Sequence, residues 1–168
     1  LFTTACVYGG PSNTLDDCGN VNAAITSGET AFGASYDFDN GFTAAVGVQT
    51  GNEILTDETQ DAFALNAAYT GENYGVSITY VDAENAALTN EDSATAFQGY
   101  YTPEGLPSIS VGYEVGEQGG VASNIDGFES FFVGLTWDEV GPGSAGIAAG
   151  FSDIVENTDE EYMYEAYY

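Results

Sequence analysis

Large apolar and aromatic residues recur at every second position along most of this chain, while the three-to-four spacing of a buried helix is nearly absent. In "AFGASYDF" Phe32, Ala34, Tyr36 and Phe38 share one face, and in "FTAAVGV" so do Phe42, Ala44, Val46 and Val48. Asp39, Asn40 and Gly41 separate the two runs, a strong signal for a β-hairpin turn. The pattern repeats with Phe63, Leu65, Ala67 and Tyr69, then Tyr74, Val76, Ile78 and Tyr80 across "GEN". A third pair sets Phe97 and Tyr101 against Ile109, Val111, Tyr113 and Val115 across "PEGLP". A fourth sets Phe131, Val133, Leu135 and Trp137 against Ala145, Ile147, Ala149 and Phe151 across "GPG". A ninth segment, "EEYMYEAYY", places Tyr162, Tyr164, Ala166 and Tyr168 together.

Connections between these pairs are longer and acidic, as in "GNEILTDETQD" and "DAENAALTNEDS". Alternating short and long connections predict an all-β fold of antiparallel up-and-down hairpins with about nine strands, occupying residues 31–168 after a loop region at 1–30. Outer-membrane barrels have this rhythm, with tight turns at one end and longer loops at the other.

The opposite face decides between a soluble sheet and a membrane one. It reads Gly33 and Ser35, Thr43, Ala45 and Gly47, Gly75, Ser77 and Thr79, Ser108, Ser110 and Gly112, Gly134 and Thr136, then Gly146, Ala148 and Gly150. A soluble sheet would carry long charged side chains there, both for solubility and to block edge-to-edge pairing. Small, mostly uncharged residues suit a water-filled lumen, and the bulky face then suits lipid. Aromatics also gather at the strand ends. Phe38, Phe42, Tyr69, Tyr74, Tyr101 and Trp137 lie beside the short turns, and Phe32, Phe63, Tyr80, Tyr113 and Phe151 beside the long loops. Two aromatic girdles around an aliphatic band mark the interfaces of a transmembrane barrel, although aromatics favour strands in any sandwich core.

Composition narrows the function classes. The 168 residues include 27 Asp and Glu and no Lys, Arg or His, where average usage would supply roughly 20 basic side chains. A formal charge of −27 repels nucleic acid and anionic lipid headgroups, so no nucleic-acid partner is expected. Lacking a His base, a Lys nucleophile and an Arg clamp, the chain is expected to be no enzyme, with neither catalytic residue nor resident metal. At 43% hydrophobic and 14% aromatic it is far too apolar for a disordered acidic tail. Cys6 and Cys18 bracket "VYGGPSNTLDD", a loop-like stretch that favours a disulfide made in an oxidising compartment over two unrelated thiols.

Two groups of carboxylates are candidate site residues. Glu114 and Glu165 fall on the small-residue face and are expected to line a pore. Asp57 and Glu58, Glu91 and Asp92, and Asp159 and Glu160 are expected in the long loops, as an acidic vestibule that concentrates cations, as weak calcium ligands, or simply as solvated loops. "DFDNG" has the opening of a calcium loop but lacks a Glu at the required spacing, so it reads as a plain turn.

"PEGLPSISVGYEVG", "FFVGLTWDEVGPGSAGIAAGF" and "DEEYMYEAYY" resemble the C-terminal half of cyanobacterial outer-membrane porins related to the carbohydrate-selective and iron-uptake families. The likeness is clearest over about 94–168 and looser over 31–93. It implies a signal peptide, a periplasmic region that grips the cell wall, a coiled segment and a barrel of roughly sixteen strands. In that family a further hairpin follows a strand resembling "MYEAYY", so the chain reads as a fragment or a shortened relative. The resulting expectation is an outer-membrane porin segment passing small hydrophilic solutes with a preference for cations, in contact with lipid or detergent and forming a homo-oligomer. The competing expectation is a self-assembling β-sheet filament or surface-layer protein outside the cell, because unpaired sheet edges recruit further copies.

Overall fold

The computed structural model describes residues 30–50, 62–84, 91–117, 127–154 and 161–168. They form nine antiparallel strands, and no helix occurs among them. The strands are β1 (Thr30–Asp37), β2 (Phe42–Thr50), β3 (Ala62–Thr70), β4 (Tyr74–Glu84), β5 (Glu91–Tyr101), β6 (Ser108–Glu117), β7 (Phe128–Val140), β8 (Gly143–Ile154) and β9 (Glu161–Tyr167). Each pairs with the next in sequence, giving one open sheet ordered β1 to β9. Loop 1–30 and its Cys6 and Cys18 lie outside the described residues, apart from Thr30 at the start of β1.

The turns hold the register. Asp39 takes a φ of 59° and Gly41 a φ of 88°, the left-handed conformations a tight hairpin needs. The Asp37 carboxylate accepts from the Asp39 amide at 2.9 Å and the Asn40 side-chain oxygen from the Phe42 amide at 3.1 Å, satisfying donors that the ladder leaves open. Adjacent turns are also joined. The Thr70 amide donates to Gly41 O at 2.8 Å and the Thr102 amide to Asn73 O at 2.7 Å, which lines up the short-turn ends of three hairpins.

Cross-strand register carries the period-two pattern through the whole sheet. Phe97, Tyr113, Phe131, Phe151 and Tyr162 form one continuous row on the bulky face. Thr79, Ala96, Glu114, Ser130 and Ser152 form another on the small-residue face. Two expectations are adjusted at strand ends. Phe38 falls just past β1, where its ring meets Tyr36 edge-on at 4.7 Å. The fourth hairpin is tighter than its pattern suggests, because β7 runs on past Trp137 through a register irregularity to pair Val140 with Gly143.

Candidate functional site

The two faces of the sheet differ in exposure as well as in residue type. On the outer, bulky face Phe32, Leu65, Ile78, Phe97, Tyr113, Ile147 and Tyr164 are all exposed, with Ile78 and Ile147 at 50%. Nothing in the described residues covers them, because the sheet is a single layer. The exposed apolar surface thus runs across every strand, far beyond the scattered hydrophobics of a soluble monomer.

Aromatic rings meet at both ends of this face. Beside the short turns, Phe42 and Tyr69 stand 4.6 Å apart and Tyr69 and Tyr74 5.5 Å apart. Beside the long loops, Phe131 and Phe151 stack at 6.2 Å. Carboxylates join the rings at the long-loop end. The Tyr80 hydroxyl donates to Asp82 at 2.7 Å, and that of Tyr113 donates to Glu129. Each phenol thus sets its hydroxyl on a charged acceptor. Asp82, expected in the long connection "DAENAALTNEDS", lies instead on β4, where residues two apart share a face and "YVD" carries the signal; Glu129 has no such sequence expectation.

The inner face is lined mainly by small residues, and three of its rings lie against glycines. A Cβ on Gly75 would collide with the Tyr100 ring, and one on Gly146 with the Tyr167 ring. Gly146 lets Tyr167 lie across β8 and reach β7, where its hydroxyl is 3.5 Å from Thr136 Oγ1. Phe132 leans along its own strand, so that a Cβ on Gly134 would sit 3.0 Å from its ring. Phe132 is consequently only 3% exposed although no second layer covers it. Period two places these three aromatics on the inner face, among its small residues. Ala68, Ser77, Gln98, Tyr100, Ser110 and Phe132 line an inner hollow of ≈ 340 Å³. Nearby, Asn66 Nδ2 donates to Thr79 Oγ1 at 2.8 Å.

Glu114 and Glu165 both lie on the inner face, as their positions predict, but apart, on β6 and β9. Glu114 is 2% exposed and directly opposite Ser130, while Glu165 faces Ala148 and has a buried oxygen, Oε2, with no hydrogen-bond partner. Glu91 and Asp92 do not lie in a loop as expected but open β5, because pairing with β4 continues to Glu84 opposite Glu91. Asp57, Glu58, Asp159 and Glu160 lie outside the described residues. Among the described residues no three His, Cys, Asp or Glu side chains gather into a metal-holding group. No helix among them is long and apolar enough to cross a membrane, which leaves open a crossing by strands.

Comparison with protein-family models, curated proteins and solved structures found no match to this chain.

Proposed function

We propose that the chain is part of an outer-membrane β-barrel porin through which small hydrophilic solutes diffuse passively, with cations preferred. The observation that carries this reading is the pairing of a continuous exposed apolar face with a small, partly polar face on the same strands. Strand length fits as well. The 11 residues of β4 or β5, at about 3.3 Å each and tilted by about 40°, would cross about 28 Å, close to the apolar band of such barrels. Cation preference follows from inner carboxylates, Glu114 and Glu165, in a chain with no Lys, Arg or His. The resemblance to cyanobacterial porins points the same way.

In planar bilayers under a salt gradient, the reversal potential is expected to have the cation-selective sign and to shrink as pH falls toward about 4, where carboxylates protonate. An anion-selective or pH-indifferent channel would refute the selectivity.

A second reading, an extracellular β-filament, is favoured by one observation. The outer edges of β1 and β9 have no partner among the described residues, and such edges recruit further strands. The two edge strands run in the same direction, since nine strands alternate. Direct closure of β1 on β9 would therefore make a parallel seam, whereas an even number of strands closes antiparallel. Electron microscopy of the purified chain without detergent separates the readings: ordered fibrils support the filament, and detergent-dependent monomers or small rings support the porin.

A further inference from the structure

Tyr100 and Phe132 both line the inner hollow of ≈ 340 Å³, but they meet solvent differently. Phe132 is 3% exposed, whereas Tyr100 stays 44% exposed although its ring is laid down. That ring reaches from β5 onto β4, where its Cε1, Cζ and hydroxyl are the atoms a Cβ on Gly75 would strike. A ring laid across the next strand keeps one side for whatever enters from the solvent, so Tyr100 offers an apolar platform inside the hollow.

Hydrogen-bonding side chains surround the platform, and none of them is charged. Ser110 stands directly beside Tyr100 on β6, Thr70 lies beyond Gly75 on β3, and Ser77 and Gln98 pair in the next row. All of them line the hollow. Their hydroxyls and amide donate and accept without carrying charge. In a chain with 27 Asp and Glu and no Lys, Arg or His, a hollow lined without any charged side chain is a local exception.

These two features define the ligand. A charged solute would give up hydration there and gain no counter-charge, so a neutral one is favoured. Ala68 on β3 and Phe132 on β7, at the two ends of the hollow, have no hydrogen-bonding side chain. A ring polar around its whole rim, such as a sugar, loses hydrogen bonds against those ends, whereas a planar ring polar along part of its edge does not. We infer that the hollow binds a neutral heteroaromatic ring of the pyrimidine-base type, stacked on Tyr100 with its polar edge toward Ser77 and Ser110. A free base carries no phosphate, so the negative charge of the chain does not repel it. The inference rests on the reading of the inner face as the water-filled one, and it needs no conduction.

The test uses the full chain in detergent with uracil as the probe, read by saturation-transfer NMR on the uracil ring protons. A saturable signal is expected. Dihydrouracil, which keeps the polar edge and loses the aromatic plane, should bind several-fold more weakly, and so should orotate, the same ring with a carboxylate. Tyr100→Ala should weaken uracil binding about fivefold or more, the scale of one stacked base, while Tyr100→Phe should stay within about twofold. Absence of a saturable uracil signal would overturn the inference. So would dihydrouracil, orotate or glucose binding as tightly as uracil, or an affinity that Tyr100→Ala leaves unchanged. If Tyr100→Ala does not fold, the ligand series on the wild type decides alone. A chain that forms no channel and still binds uracil would sink the porin and leave this site standing, whereas a conducting channel without uracil binding would overturn the site alone.

Discussion

Ile78 and Thr79 are neighbours in β4, yet they face opposite surroundings. Ile78 is half exposed on a face with no covering layer, while Thr79 accepts a hydrogen bond from Asn66 on a face where Phe132 and Ala64 are almost wholly buried. A similar contrast runs along β3, β6 and β8, whereas in β1 Gly33 and Ser35 are exposed, as Phe32 and Tyr36 are. Small residues on the inner face let rings fold down over glycine, and Phe132 is buried in this way, although Tyr100 stays 44% exposed. Large residues on the outer face leave their surface outward, so it must be covered by something outside the described sheet. The comparison separates what the sheet solves alone from what it leaves to its surroundings.

The largest expected effect breaks the outer face. Ile78→Lys should cost roughly 2 to 4 kcal/mol of folding free energy in lipid, the scale for a lysine at mid-bilayer, and Thr79→Lys within about 1 kcal/mol. Urea titration in vesicles, followed by tryptophan fluorescence, compares the two. Equal costs would abolish the distinction between the faces.

A smaller effect probes how rings pack over glycine on the inner face. Gly146→Val drives a side chain into the Tyr167 ring and should destabilise by about 1 to 3 kcal/mol. In a Tyr167→Ala background the same substitution should cost less, with a coupling of about 0.5 kcal/mol or more. Additive costs would mean that the ring and the glycine do not depend on each other. Gly134 is a poorer probe, because a side chain there crowds both Phe132 and Ser110.

The smallest effect belongs to neither face. Asn40→Ala removes the acceptor for the Phe42 amide at an exposed turn and should cost less than about 1 kcal/mol, the same in detergent and in vesicles. A cost that differed between the two media would mean that the short turns are not in water.

Much of this architecture was legible before the fold was known. Period-two alternation and the turn at Asp39–Gly41 marked the strands, and parity placed Glu114 and Glu165 inward. What parity cannot supply is register between hairpins. Tyr167 reaching Thr136 across Gly146, and Glu114 standing beside Ser130 and Ser152, each depend on three strands being aligned at once. Nor does alternation tell whether a bulky residue on a small face stands upright or lies over a glycine, as Tyr100 does over Gly75 and Tyr167 over Gly146. The disulfide expected at Cys6 and Cys18 and, of the vestibule, Asp57, Glu58, Asp159 and Glu160 belong to segments outside the described residues, while Glu91 and Asp92 stand in β5.

The central claim, that the outer face meets hydrocarbon, is tested most directly through Trp137, the chain's single tryptophan, which lies on the outer face beside the short turn of the β7–β8 hairpin. The chain is reconstituted in vesicles of phospholipids brominated at defined depths, and Trp137 emission is compared with that in unbrominated lipid. The account predicts strong quenching, greatest for bromines near the headgroup end of the acyl chain, with weak quenching by aqueous acrylamide. Trp137 emission unaffected by bromines at every depth and readily quenched by acrylamide would contradict it.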